Sequence, residues 1–247
     1  MSIKHELRKL FWMAGYDVSR FTPASHPLAQ RKRLLLHYNI DTVLDVGANS
    51  GQFAQQLKND LGYTKSIISF EPLSSAFELL RLKAKNDPDW EVFNFALGDV
   101  EEQREINIAG NSYSSSFLDM LPSHIQSAPE SRYIDKEIIE IRRLDSIFSE
   151  ICNTTNKIYM KIDTQGFESK VIAGAENSLL SIGTVQLEMS LVPLYKGELL
   201  FNELYSLMVA KGYSLVGIEP GFADENSGQL LQVDGIFHRL DSGGNIA

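Results

Sequence analysis

The feature that most constrains this chain is an apolar run that ends on a glycine-rich turn, Thr42-Val-Leu-Asp45-Val-Gly47-Ala-Asn49-Ser-Gly51. A short, almost continuous apolar run suits a strand buried on both faces, as in a parallel sheet. A helix-length segment follows (Phe53 to Leu61), then a second apolar run, KSIISFEP (65–72). After a second helical segment, Ser74 to Asn86, comes a third run, WEVFNFALG (90–98). Strands separated by helix-length segments predict βαβ units. The alternation returns with KIYMKID (157–163), TVQLEMSL (184–191), YSLVGIEP (213–220) and LLQVDGIFHR (230–239), with helices over Phe167–Leu180 and Glu198–Lys211. The last two runs, joined by GFADENSGQ, read as an antiparallel pair. The expected fold class is therefore α/β and Rossmann-like: about seven strands, mostly parallel, with a terminal antiparallel hairpin and helices on both faces.

Two segments lie outside this alternation. Residues 1–40 read as an N-terminal helical extension, broken by Pro-Ala-Ser-His-Pro at 23–27, and residues 41–247 as the main domain. Leu7, Leu10, Phe11 and Ala14 recur at helical spacing. REINIA (104–109) and KEIIEIRRL (136–144) alternate like strands, but the Ser-rich stretch between them does not. That stretch, about 110–136, is expected to be a lid-like insertion over the strand ends.

Composition narrows the function. The formal net charge of −9 disfavours a sequence-independent grip on a phosphate backbone, so no nucleic-acid partner is expected. The run Arg31-Lys32-Arg33 reads as a solvated helix face. A single cysteine, Cys152, cannot form an intrachain disulfide, and has no CxxC partner for zinc. With no transmembrane-length run and no signal-peptide pattern near the N-terminus, a cytoplasmic location is expected.

The chemistry-bearing residues cluster at predicted strand ends, where open α/β sheets bind ligands. Gly47 and Gly51 remove the Cβ that would keep a ligand off the backbone, and Asn49 tolerates left-handed φ. Asp45 brings a carboxylate to the turn, where it could hold a cationic amino group, which an aminoacyl cofactor has and a pyrophosphate lacks. Glu71, about 20 positions on, suits a ribose diol. Ala96 and Leu97 end the third run where an adenine would pack. Ser115, within Ser114-Ser115-Ser116, could hydrogen-bond a ligand or simply build a turn. Lys161 and Asp163 share one face of their strand, as a catalytic feature or as a structural ion pair. Asp163, then Glu188, then His124 are the candidate general bases. No dense acidic or histidine cluster appears, so no metal ligand is assigned. The dinucleotide pattern GxGxxG and the phosphate-loop pattern GxxxxGK[ST] are both absent.

DVGANSGQF, FEP, FALGD, RRLDSI and KIDTQGFE, in that order, resemble the FkbM-type methyltransferase family over roughly residues 40–190. The resemblance implies a class I methyltransferase fold, S-adenosyl-L-methionine as cofactor, and O-methylation of a small-molecule or glycan hydroxyl acceptor, such as a sugar or natural product. The family usually shows KIDVEGxE; here Thr164 and Gln165 replace Val and Glu. Other acceptor classes (nitrogen, nucleic acid), a nicotinamide-dependent oxidoreductase and a non-catalytic cofactor-binding scaffold are the alternative readings.

Overall fold

The computed structural model describes residues 3–153 and 155–239. The chain divides into two units after Tyr38. The first holds two helices, α1 (Ile3–Met13) and α2 (Pro27–His37). Pro27 opens α2, where a missing N–H costs nothing, and the His26 ring accepts the Leu28 N–H at 3.2 Å. Arg31 is buried, so the Arg31-Lys32-Arg33 run is not the uniformly solvated face expected.

The second unit begins with β1 (Thr42–Val46), whose five residues are all buried. A short helix, α3 (Gln52–Gln55), runs into a π-type turn over Gln56–Asp60. Next come β2 (Ser66–Phe70), α4 (Ser74–Ala84), β3 (Trp90–Phe93), β4 (Ala96–Leu97) and β5 (Glu102–Ala109). They are followed by α5 (Pro122–Ser127), β6 (Tyr133–Arg142), α6 (Leu144–Ile151), β7 (Ile158–Ile162) and α7 (Glu168–Gly174). The chain continues through β8 (Ile182–Ser190), α8 (Phe201–Ala210), β9 (Tyr213–Pro220) and β10 (Gln232–Arg239). Residues 240–247 of the expected main domain lie outside the described residues.

The main sheet has seven strands in the order β3-β2-β1-β7-β8-β10-β9. It is parallel except for β10, which runs antiparallel to both β8 and β9. This is the expected Rossmann-like α/β sheet with its terminal hairpin. Strand order reverses between β1 and β7, so the carboxyl ends of these strands open a crevice there. The apolar residues of β1, β2, β7 and β8 pack with α6, α7 and α8 into the principal core.

Two local expectations are corrected. The third apolar run is not one strand: it breaks after Phe93, and Asn94 Nδ2 donates to the carbonyls of Glu71 and Pro72, both at 2.9 Å. The chain thereby leaves the main sheet, and β4 pairs with β6 in a separate three-stranded sheet, β4-β6-β5. The helix expected over Phe167–Leu180 stops at Gly174 and resumes as a 3₁₀ turn over Ser178–Ser181. A Cβ on Gly174 would lie 1.8 Å from the Gly98 carbonyl oxygen, so helix and loop touch backbone to backbone there.

The segment at 110–136 is built rather than featureless. Asn107 and Ser116 form an antiparallel bridge, α5 follows, and Pro129–Ser131 is a 3₁₀ turn. Its backbone is tied to residues 193–196 by Leu121 N–H to Leu194 O (2.8 Å) and Lys196 N–H to Asp119 O (2.9 Å). No helix among the described residues is long and apolar enough to cross a membrane.

Candidate active site

The crevice holds a cavity of about 260 Å³ over the ends of β1, β2, β7 and β8. Gly47, Asn49, Glu71, Ala96, Leu97, Ser115, Asp163 and Glu188 all line it, so eight of the residues singled out in the sequence meet at one place. Asp45, Gly51 and His124 do not line it.

The glycine turn is shaped chiefly by packing. Gly47 adopts φ +78°, and a Cβ there would sit 1.9 Å from the Asp163 carbonyl oxygen. Gly51 adopts φ +83°, and a Cβ would press on Leu80 and Trp90 at 2.8 and 2.9 Å. The expectation that Gly51 clears space for a ligand is thus corrected: it clears space for α4 and β3. Asn49 holds φ +47°, and its N–H donates to Glu71 Oε2 at 2.7 Å.

Glu71 joins this turn to the end of β2. Its second oxygen accepts the Leu73 N–H at 2.9 Å. A carboxylate has about four acceptor positions, so these two bonds leave room for a ligand's hydroxyls. Burial raises its pKa to about 7 against the pull of the two N–H bonds, with Asp45 and Glu137 adding to the rise.

Asp45 is fully buried in the centre of the sheet. Strand register sets it between Ser69 on β2 and Lys161 on β7. Ser69 Oγ donates to its Oδ2 at 3.4 Å, and Lys161 Nζ lies 3.8 Å from its Oδ1. The cationic amine beside Asp45 is therefore the protein's own, which corrects the expectation of an open contact to a ligand. Lys161 also binds Asp163 Oδ2 at 3.0 Å. Burial opposes its charge, but Asp163 and Asp45 outweigh that penalty and hold the ammonium above its ordinary pKa.

Gln165 is the joint of the site. It stands in left-handed conformation (φ +55°) before Gly166 (φ +92°). Its Nε2 donates to Asp163 Oδ1 at 2.9 Å and to Glu188 Oε2 at 2.6 Å, while Tyr195 Oη lies 2.7 Å from its Oε1. Its carbonyl accepts Ser116 Oγ at 2.7 Å, which fastens the 110–136 segment to the turn. The turn is held from behind by Glu168, whose Oε1 accepts the N–H groups of Thr164 and Gly166 at 2.8 and 3.2 Å. The Thr164 hydroxyl donates to the same oxygen at 3.1 Å. Burial, with Asp163 adding to it, raises Glu168 to about 7 despite these donors.

Glu188 also accepts Gln232 Nε2 at 3.0 Å. Burial first, then the carboxylates Asp163, Asp234 and Glu168, raise its pKa well above the ordinary value; Lys161 only partly offsets them. Ser115 lines the cavity but is spent on its own turn, donating to Ser112 O and accepting the Ala109 N–H, both at 3.0 Å. Phe117 and Phe167, ring centroids 4.7 Å apart, form part of the apolar wall with Ala96 and Leu97.

His124 lines a neighbouring cavity of about 200 Å³, whose wall shares Tyr113, Gln165 and Glu188 with the first. The sequence did not single out Tyr195, Gln232 or Phe222. Their only signal was aromatic and amide side chains near predicted strand ends. Gln165 was visible only as a departure from KIDVEGxE.

A family model for the methyltransferase FkbM domain matches residues 45–215, the stretch that contributes Asp45, Glu71, Asp163 and Glu188. The chain belongs to the FkbM methyltransferase family. It is accordingly a methyltransferase, and its sheet is that of the class I methyltransferase fold. An uncharacterised protein from Listeria monocytogenes serotype 4b aligns at 7% identity and a TM-score of 0.49, covering 88% of this chain and 70% of its own. A methyltransferase FkbM from Methylobacillus flagellatus KT aligns at 14% identity and a TM-score of 0.45, over 80% of this chain and 44% of its own, so this FkbM-family chain spans less than half of that relative's length. An rRNA methylase from Streptococcus thermophilus aligns at 6% identity and a TM-score of 0.48, over 92% and 100% of the two chains. No curated protein matches the sequence.

Proposed function

We propose that this chain is an S-adenosyl-L-methionine-dependent O-methyltransferase for a hydroxyl of a sugar, glycoconjugate or natural product, with Glu188 as general base. The observation that carries this reading is the position of Glu188: one carboxylate, with a raised pKa, lining both the cavity that contains Glu71 and the cavity beside it. Bound S-adenosylmethionine supplies an electrophilic methyl group. The residues of the chain must therefore hold that donor, orient an acceptor oxygen and take its proton.

The lining fits such a donor. Glu71 keeps acceptor capacity for a ribose diol, and Ala96, Leu97 and Phe117 offer apolar contact for a purine. A general base works best when its pKa approaches the working pH. Burial and the neighbouring carboxylates shift Glu188 upward, in that direction. Asp163 is already engaged by Lys161 and Gln165, which suits it to fixing the turn, so the preference among the candidate bases passes from Asp163 to Glu188. The acidic balance of the chain favours an uncharged acceptor over a nucleic acid.

The test is to incubate the purified protein with S-adenosylmethionine and a library of sugar and natural-product hydroxyls, reading methylated products by mass spectrometry. O-methylated product that falls about 10²-fold or more in Glu188→Gln, with cofactor affinity kept, is the expected result. Transfer to nitrogen or nucleic acid alone, or no cofactor binding, would overturn the reading.

A further inference from the structure

The cavity beside the cofactor-type crevice is walled in part by residues the proposed chemistry has not used. His124 is 3% exposed, and its ring lies between Tyr195 and Phe222, with centroids 5.1 and 5.4 Å away. Its Nδ1 is buried and has no hydrogen-bond partner among the described residues. A buried polar nitrogen left unpaired costs free energy, and a small turn of a ring that lines a cavity would let a ligand satisfy it. Burial lowers the imidazole pKa to about 4, so the ring is neutral near pH 7, with one nitrogen donating and one accepting. A hydroxyl group has the same pair of capacities.

The rest of the wall has one electrostatic sense. Glu188 lies within it and Glu130 stands at its exposed edge, while no Lys or Arg among the described residues contributes. An anionic group would meet two acids with no cation in the wall beside them, and Lys161, behind Glu188, offsets them only in part. Phe222 and Tyr113 add apolar surface on which the C–H face of a ring can rest. Because Gln165 and Glu188 belong to both walls, a molecule in this space would abut the carboxylate assigned as base.

We propose that this second cavity is the acceptor site, and that it takes an uncharged, hydroxyl-rich ring hydrogen-bonded to His124 while rejecting phosphorylated or carboxylated counterparts. The assignment rests on the O-methyltransferase reading above. The test uses protein with ¹⁵N-labelled histidine, first titrated with S-adenosylhomocysteine. Three neutral probes follow (the methyl pyranosides of glucose, galactose and rhamnose), then two anionic ones, glucose 6-phosphate and glucuronate. At least one neutral glycoside should shift the His124 ring resonances saturably, and the anionic probes should bind at least tenfold more weakly. Glu130→Gln, an exposed substitution, should narrow that gap several-fold. No shift at His124 with any neutral glycoside up to 0.1 M, anionic probes binding as tightly, or an unchanged gap in Glu130→Gln would each overturn the assignment. S-adenosylhomocysteine failing to bind while a glycoside still moves His124 would instead overturn the cofactor reading and leave the sugar site standing.

Discussion

The Gln165 side-chain amide lies 2.6 Å from the Glu188 carboxylate and donates to it, while the same nitrogen reaches Asp163. One neutral donor thus separates two acids. Gln165→Glu would replace that donor with a third carboxylate, and close like charges resist ionising together. The variant should be less stable than the parent at pH 8, by on the order of 1–3 kcal/mol, and should approach it near pH 5, where the cluster can keep its protons. Urea denaturation at the two pH values measures this. A deficit of equal size at both would show that shape, not charge, sets the role of Gln165.

Glu71 gives a pH signature for cofactor binding. Hydrogen bonds from a ribose diol favour the ionised carboxylate, and burial has raised this group to about 7. Affinity for S-adenosylhomocysteine should therefore fall as pH drops below about 7, by up to roughly tenfold per unit. Glu71→Gln should bind weakly and with a flat profile. Calorimetry from pH 5.5 to 8.5 is the check, and an equally steep profile in the variant would remove Glu71 from the contact.

Glu168 supports the turn at a cost that depends on pH. Its folded-state pKa is raised to about 7 from 4.5, chiefly by burial, so the folded chain keeps this proton when the unfolded chain has lost it. The resulting stability is complete below about pH 4.5 and is lost as pH rises to about 7, amounting to about 3 kcal/mol. Glu168→Gln retains an oxygen to accept from Thr164 and Gly166 but cannot ionise. Its stability relative to the parent should rise between pH 5 and 8. Parallel pH curves for the two proteins would refute the mechanism.

The 110–136 segment should open to admit ligands, because Ser116 bonds the Gln165 carbonyl and Tyr195 Oη bridges Ser114 O and Gln165 Oε1. Tyr195→Phe deletes one such tie, worth about 1 kcal/mol. Amide exchange over residues 111–121 should quicken in the variant and slow in the parent when cofactor product is bound. Identical exchange in all three samples would mean the segment is a fixed wall.

The sheet was legible because buried parallel strands are written as apolar runs: β1, β2 and β7 stand within the runs at 42–47, 65–72 and 157–163. The break after Phe93 was not, since it depends on Asn94 reaching back to carbonyls 22 and 23 residues earlier. The gathering of Glu71, Asp163 and Glu188 could be expected from their places at strand ends. The occupation of Asp45 by Lys161 could not, because the two meet only through strand register. The Lys161–Asp163 pair, by contrast, is local, and alternation along one strand made it one of the two readings open from the sequence.

That register has a consequence for assembly. Asp45 and Lys161 sit opposite each other on the two strands where the order of the sheet reverses. A slip of β7 by one residue would put Lys161 level with Leu44 or Val46 and turn its ammonium to the other face of the sheet, away from Asp45. Apolar neighbours forgive such a slip, since one branched side chain packs much like the next. A buried ammonium does not. The ion pair at the centre of the sheet therefore favours one alignment of β1 and β7 over its neighbours, and the crevice above them inherits that alignment.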